Sequence, residues 1–302
     1  MEPDERVSDG LDVGSGDRHG RNATLKISII TVTYNSSHIL TEFIDQLRLN
    51  GQDESELIIV DSGSDDAEAT KIIAQRKGAT VVLSPENIGY GRGSNLGAAR
   101  AQGEWLVFVN PDVSVIHDQL VELVRIGQRN EVHCIGPQVA GIDGRLKVSW
   151  GRTIRPPWRK RGSGYTDHGS LIHAETISGC CMAISAEHFR RLNGFDPSFF
   201  MFCEEMDLHR RLLDLNGRIS VARDVVVRTP GGSSSLGVTD RWRSVERLIG
   251  HTRYVFKHFS RVEGCAAIGY NLLKIIFLPK FKRRRTSFVQ YSKGLRRNVA
   301  GT

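Results

Sequence analysis

The stretch EWLVFVNPDV, residues 104–113, decides how this chain is read: an unbroken apolar run from Trp105 to Val109 stops on Asn110, Pro111 and Asp112. An apolar run of this length, closed by turn residues, is the pattern of a strand buried on both faces, as parallel strands are. A carboxylate at the carboxyl end of such a strand stands where open α/β sheets bind their ligands. Asp112 is therefore a candidate contact for a metal or a polar substrate.

The same pattern occurs twice upstream. KISIITVTYN runs into Tyr34 and Asn35, and ELIIVDSGSDD runs into Asp61, Ser62, Gly63, Ser64, Asp65 and Asp66. Three apolar strands thus deliver polar groups to one rim. Between them the apolar residues take helical spacing, as Ile39, Leu40, Phe43, Ile44 and Leu47 after the first strand and Ala69, Ile72 and Ile73 after the second. Alternating strands and helices predict a parallel, doubly wound α/β sheet. A further strand, GATVVLS, leads into NIGYGRGSNLGAAR, residues 87–100, whose glycines allow close backbone approach and within which a helix begins. This stretch does not follow the first strand, so it is not the dinucleotide fingerprint, and it lacks the Gly-Lys-Ser/Thr ending of a phosphate-binding loop.

A second acidic site lies in SGCCMAISAEHFRRLNGFDPSFFMFCEEMDLHRRLLDLNGRI, residues 178–219. A strand and a short helix lead through a Gly194-Phe195-Asp196 turn to Glu204, Glu205 and Asp207. These acids open a helix whose expected core face is Met206, Leu208, Leu212, Leu213 and Leu215. Acids are favoured in a first helical turn whatever their use. The aromatic frame of Phe199, Phe200 and Phe202 would also desolvate one of them and raise its pKa toward that of a general base. Spacing alone supports both readings.

Composition bounds the rest. The 302 residues, 39% hydrophobic, can bury one large core or a core with a small subdomain. The five cysteines show no zinc spacing and read as reduced thiols of a cytosolic protein. Residues 1–24 are polar, have no signal-peptide core and are expected to be a disordered tail, which makes the sequon at Asn22 a chance match. No apolar run reaches the ~18 residues that span a bilayer. CAAIGYNLLKIIFLP, residues 265–279, is followed at once by Lys280, Lys282, Arg283, Arg284 and Arg285, with Lys293, Arg296 and Arg297 beyond. This fits a helix lying on an anionic membrane surface, or a docking helix with a solvated basic tail. Residues 241–259 read as another helix, with Trp242, Val245, Leu248 and Ile249 on one face, which either packs on the sheet or makes a dimer contact. The net charge of +7 also suits nucleic acid, but no nucleic-acid module accompanies it and none is expected as a partner.

In this order the motifs TVTYN, VDSGSDD, NIGYGRGSNLG, NPD and GFD…FFMFCEEMDL…R resemble a family 2 glycosyltransferase of GT-A fold, over roughly residues 26–235. Within that family the chain is most similar to actinobacterial rhamnosyltransferases that extend polyprenyl-diphosphate-linked sugars. The resemblance implies a Rossmann-like, mostly parallel sheet flanked by helices over residues 25–235, then a helical, membrane-proximal extension over 236–302. It implies a nucleotide-sugar donor, a lipid-linked or glycan acceptor, Mg²⁺ or Mn²⁺ as cofactor, and a peripheral position at the inner face of the plasma membrane.

The same resemblance implies residue roles. Thr33, Tyr34, Asn35, Asp61, Asn87, Gly91 and Asn95 would form the donor nucleotide site, with Asn110 beside Asp112, the metal ligand. Glu205 would be the catalytic base, with Glu204 and Asp207 as rivals, although Glu205 stands where the family usually has Asp. Arg228, in DVVVRTPGGSS at residues 224–234, stands where relatives carry a histidine and would meet diphosphate oxygens. Residues 141–175, with Trp150, Pro156, Pro157, Trp158, Arg159, Lys160, Arg161, Tyr165 and His168, show no period and are expected to form a mobile loop over donor or acceptor. The alternatives are a sugar-phosphate nucleotidyltransferase on the same fold, disfavoured by TYNSSH after the first strand, and a catalytically impaired nucleotide-binding relative.

Overall fold

The computed structural model describes residues 25–47, 49, 55–155, 163–230, 239–281 and 284–296. The expected N-terminal tail with its sequon, the 156–161 part of the expected loop, the glycine run after Pro230, and Lys282, Arg283 and Arg297 lie outside the described residues.

The first half alternates as the apolar runs predict: β1 Ile27–Thr33, α1 Ser37–Leu47, β2 Glu56–Ser62, α2 Ala67–Arg76, β3 Thr80–Ser84, α3 Tyr90–Ala98, β4 Trp105–Val109 and α4 His117–Arg129. Then come β5 Cys134–Ala140, β6 Leu146–Lys147, β7 Trp150–Gly151, β8 Tyr165–His168, β9 Leu171–Ala174, β10 Thr176–Ile177, β11 Cys181–Ser185, α5 Ala186–Arg191, α6 Glu204–Asp214 and β12 Ile219–Arg228. The chain continues with α7 Asp240–His258, α8 Arg261–Phe277, a 3₁₀ turn at Pro279–Phe281 and α9 Arg284–Arg296.

The main sheet runs β3-β2-β1-β4-β11-β5-β12-β9-β8, with β6 paired to β5. Strands β3, β2, β1 and β4 are parallel, and so are β5 and β12. Between those two blocks β11 is antiparallel to both of its neighbours, so the sheet is mostly parallel, as expected. Period-two burial sorts the strand residues onto two cores. Ile27, Ile29, Trp105, Val107 and Val109 face α1 and α4, while Ile30, Leu106 and Phe108 face α5 and α6. Both faces of the sheet are covered, which is why these strands read as continuous apolar runs.

Three local expectations are corrected. On α2 the buried residues are Thr70 and Ala74, with Ile72 40% exposed, so the helix is rotated from the face its isoleucines implied. On α6, Leu215 lies beyond the last turn and is exposed, while His209 takes a core position, bonded to Thr176 Oγ1 at 3.0 Å. The described parts of residues 141–175 form four short strands, β6 to β9, instead of one irregular loop.

The helices α7, α8 and α9 pack into a small cluster of their own around Val245, Leu248, Ile249, Ile275, Phe281 and Tyr291. The α7 face expected from Val245, Leu248 and Ile249 is thus buried inside the chain. At Gly250 a Cβ would lie 2.4 Å from the Phe202 carbonyl oxygen, so α7 lies directly against the segment that enters α6. A pairing across α6 and α7 fixes that contact: Asp207 meets Lys257 Nζ at 2.7 Å and His258 Nε2 at 2.8 Å.

Candidate active site

The rim at the carboxyl ends of β1, β2 and β4 is ordered by its own polar groups. Thr33 and Asp61 are paired in register across β1 and β2. Thr33 Oγ1 donates to Asp61 Oδ2 at 3.3 Å, and the backbone N–H of Ser64 donates to Asp61 Oδ1 at 2.9 Å. Asn35, held at φ 51°, accepts from the Asp65 N–H and donates its own N–H to Ser64. Asn87 Oδ1 accepts from Ser62 Oγ at 3.3 Å and from the Gly89 N–H at 3.0 Å. Tyr34 is half-buried beside them. The rim therefore assembles Thr33, Tyr34, Asn35, Asp61 and Asn87 as the sequence implies.

Two members of the expected nucleotide set face elsewhere. The Asn95 carboxamide uses both of its polar atoms on the backbone of Phe195, at 2.8 and 2.9 Å, and so clamps α3 to the turn before α6. Gly91 makes room beneath: a Cβ there would lie 3.2 Å from that of Phe195 and 3.5 Å from that of Glu204.

Asn110, Asp112 and Glu205 line one cavity of about 430 Å³, together with Lys147, Trp150, Arg152, Ser178, Cys180 and Thr229. That volume is in the range of small-molecule sites. The Asn110 N–H donates to the Cys180 carbonyl at 2.8 Å, and Ser114 exchanges backbone bonds with Arg228 at 2.8 and 3.3 Å. Arg228 thereby pins the loop that carries Asp112. Its side chain is exposed, and its neighbour Thr229 is the residue that reaches the cavity.

The three acids of α6 are separated by their surroundings. The helix is entered through two consecutive left-handed residues, Phe202 at φ 66° and Cys203 at φ 70°. Such conformations cost about 1–3 kcal/mol each in non-glycine residues and concentrate at functional sites. Glu204 is 5% exposed, with one carboxyl oxygen that has no hydrogen-bond partner. Burial, then the neighbouring Glu205 charge, raises its pKa well above the ordinary carboxylate value. Glu205 faces the cavity; burial raises its pKa too, and backbone N–H groups at the helix start, then Arg247, moderate the rise. Asp207 goes the other way. Burial pushes its carboxyl up, but the His258 hydrogen bond and the charges of Arg211 and Lys257 outweigh this and hold it below the usual range.

A second cavity of about 360 Å³ opens on the far side of Glu205, lined by Ile154, Phe202, Cys203, Ser244, Arg247, Leu248, His251 and Lys274. None of its basic residues is singled out by a motif. The available signal was positional: Ser244, Arg247 and His251 sit three and four residues apart and form one polar stripe on α7.

The model of glycosyl transferase family 2 matches residues 28–192, more than half of the chain. The chain belongs to glycosyl transferase family 2. A second model, described as the N-terminal domain of galactosyltransferase, matches residues 162–229, the part that contains α6 and its three acids. Among relatives of this family, the N-acetylglucosaminyl-diphospho-decaprenol L-rhamnosyltransferase of Mycobacterium tuberculosis is 23% identical over 217 residues, covering 62% of this chain and 70% of the relative. Rhamnosyltransferase WbbL of Escherichia coli is 24% identical over 208 residues, covering 62% and 76%. The fold is shared with solved enzymes. GalNAc-T7 with UDP, GalNAc and Mn²⁺ superposes with a TM-score of 0.58 at 16% identity, covering 78% of this chain and 48% of that one, so this chain spans about half its length. The mannosyltransferase PcManGT of Pyrobaculum calidifontis, with GDP-Man and Mn²⁺, gives 0.55 at 17% identity, covering 91% and 76%. Likeness at these identities establishes the GT-A fold.

Proposed function

We propose that this glycosyltransferase moves a hexose, with rhamnose the leading candidate, from a nucleoside-diphosphate donor to a lipid-linked glycan acceptor, with inversion at the anomeric carbon. The observation that supports this most is the placing of Asp112 and Glu205 in one cavity, adjoining the rim built on Asp61. In this reading Thr33, Tyr34, Asn35, Asp61 and Asn87 hold the base and ribose, and Lys147 and Arg152 bring positive charge to the diphosphate. Glu205 takes the proton of the acceptor hydroxyl. The oxygen then attacks the anomeric carbon, and the bond from that carbon to the diphosphate breaks with its electron pair leaving on the nucleotide. Asp207 serves this role indirectly, by fixing α6 against α7. The rhamnosyl and lipid-linked parts of the proposal rest on the names of the relatives.

The donor atoms suit a hard cation. Among the described residues no three His, Cys, Asp or Glu side chains gather at a metal position. Mg²⁺ and ions like it nevertheless need only one or two carboxylates when substrate phosphates complete the shell. Asp112 with the Asn110 side-chain oxygen would hold Mg²⁺ or Mn²⁺ in that way. A bound cation would supply neutralisation of the charge that develops on the departing diphosphate.

The outward side of α8 supports work at a membrane surface. Val262, Tyr270, Leu273, Ile276 and Phe277 are exposed at helical spacing, 46–78% accessible, and Phe288 and Val289 extend the patch on α9. Exposed Arg284, Arg285, Lys293 and Arg296 flank it. An apolar face beside basic groups matches an anionic lipid surface. Among the described residues no helix is long and apolar enough to cross the bilayer.

The test of the transferase reading is thermal stabilisation by UDP, dTDP and GDP with and without Mg²⁺, followed by transfer from the matching sugar nucleotide. One nucleotide should stabilise the protein in a metal-dependent way, and Asp112→Ala should abolish that dependence. Binding with neither transfer nor donor hydrolysis would make the chain an impaired relative instead.

A further inference from the structure

The second cavity has a composition that donor chemistry does not use. It shares Glu205 with the first cavity, yet none of Asp112, Asn110 or the Asp61 rim lines it. Both α7 and α8 contribute to its walls, and its polar lining includes two cations, Arg247 and Lys274. Arg247 lies with its guanidinium carbon 4.6 Å from the centre of the Phe202 ring, and Lys274 Nζ lies 4.1 Å from that of Tyr270. Among the described residues neither cation forms a salt bridge. Stacking on a ring leaves the N–H groups of a cation open to an anion. His251 also lines the cavity, with Nδ1 3.3 Å from the Asn271 amide nitrogen. Burial, then the charge of Lys274, lowers its pKa to about 4, so at neutral pH it offers a neutral donor.

Lys274 also belongs to the helix whose outer side carries Tyr270, Leu273, Ile276 and Phe277. Glu205 and Lys274 thus line the same cavity, and through its contact with Tyr270 Lys274 adjoins the exposed apolar side of α8. We propose that this cavity seats the phosphate or diphosphate linker of a lipid acceptor, with Arg247 and Lys274 on its oxygens, the sugar directed toward Glu205, and the lipid chain leaving along α8. The assignment rests on the transferase reading above and adds to it the acceptor subsite and its residues. It gives α7 and α8 a part in the reaction: they supply Arg247 and Lys274 to the cavity that Glu205 lines.

The experiment titrates the full chain with farnesyl diphosphate and, separately, inorganic pyrophosphate, by calorimetry at saturating nucleoside diphosphate so that the donor site is filled. Charge-assisted hydrogen bonds contribute enough that Arg247→Gln and Lys274→Gln should each weaken farnesyl diphosphate by about 10-fold or more. Lys274→Arg should retain binding, and nucleotide stabilisation should be the same in all variants, which shows that they fold. Farnesyl diphosphate should bind more tightly than pyrophosphate because its chain rests on α8. Equal affinity for the two probes would overturn the lipid assignment in favour of free phosphate. Displacement of the probe by nucleotide, or binding indifferent to both glutamine variants, would overturn the site. A protein that binds nucleotide but no farnesyl diphosphate refutes this inference alone, whereas one that binds no nucleotide refutes the transferase reading beneath it.

Discussion

At the scale of single residues, the chemistry turns on how three acids within four positions are treated differently. Glu205 faces the cavity with a raised pKa, Glu204 is buried beside it with its own pKa raised further, and Asp207 is held low by the His258 hydrogen bond and the charges of Arg211 and Lys257. A base must be unprotonated to act, so transfer should rise with pH through the raised pKa of Glu205, above the ordinary carboxylate range. Glu205→Gln should lower kcat by about 10³-fold, as loss of a general base does, and remove that acidic limb. Nucleotide-induced stabilisation should persist. A variant with the wild-type pH profile would assign the base to another group. Spacing marked all three acids and only the family resemblance put Glu205 first, because what separates them lies far along the chain: Lys257 and His258 for Asp207, Arg247 for Glu205. The rim was more legible, since Thr33, Asp61 and Asn110 each follow an apolar strand in register. The packing partners of Asn95 and Gly91 were not legible at all. A glycine-rich stretch signals close approach, but it does not say that the approaching partner is Phe195 and Glu204 instead of a ligand.

At the scale of elements, the decisive contact is α6 against α7. Phe202 and Cys203 hold strained left-handed conformations where α7 presses on them, and Asp207 ties the two helices through Lys257 and His258. Removing one partner of a buried charge cluster leaves the others uncompensated and costs about 3–5 kcal/mol. Partial exposure of Lys257 and Arg211 puts Asp207→Asn near the lower end, about 3 kcal/mol. Chemical denaturation should register that loss, and the folded fraction should still bind nucleotide. An unchanged midpoint would mean that the pairing contributes nothing to docking α7. Strands β1, β2 and β4 were readable because both faces are buried, so their residues are mostly apolar. The reversal of β11 was not, since CMAIS is equally apolar in either direction. The short strands β6, β7 and β8 carry no period because their residues are largely exposed or number only two.

At the scale of the whole molecule, the buried titratable groups set a pH profile and the C-terminal helices set a location. His209, fully buried, has its pKa lowered from 6.5 to about 3, so its contribution is complete above pH 6.5 and declines as pH falls toward 3. Glu204, raised above 4.5, contributes with the opposite sign: stability is lost as pH rises from 4.5 through its raised pKa. Each proton is worth about 1.4 kcal/mol per pH unit, so the two nearly cancel just above pH 4.5. Glu204→Gln should remove the compensation and steepen the fall on acidification there by about that amount, read from urea midpoints. The proposed membrane contact uses the charge and apolar area that α8 and α9 leave exposed. Vesicles containing anionic lipid should bind the protein, and neutral vesicles should bind it much less. High salt should weaken the attraction, since ~1 M salt shortens the screening length to about 3 Å. Phe277→Glu, at a position 72% exposed, should abolish vesicle binding without lowering thermal stability, because that ring packs on nothing that holds the fold. If Phe277→Glu bound anionic vesicles as the wild type does, the α8 face would not be the membrane contact, and the acceptor would have to reach Glu205 from another side.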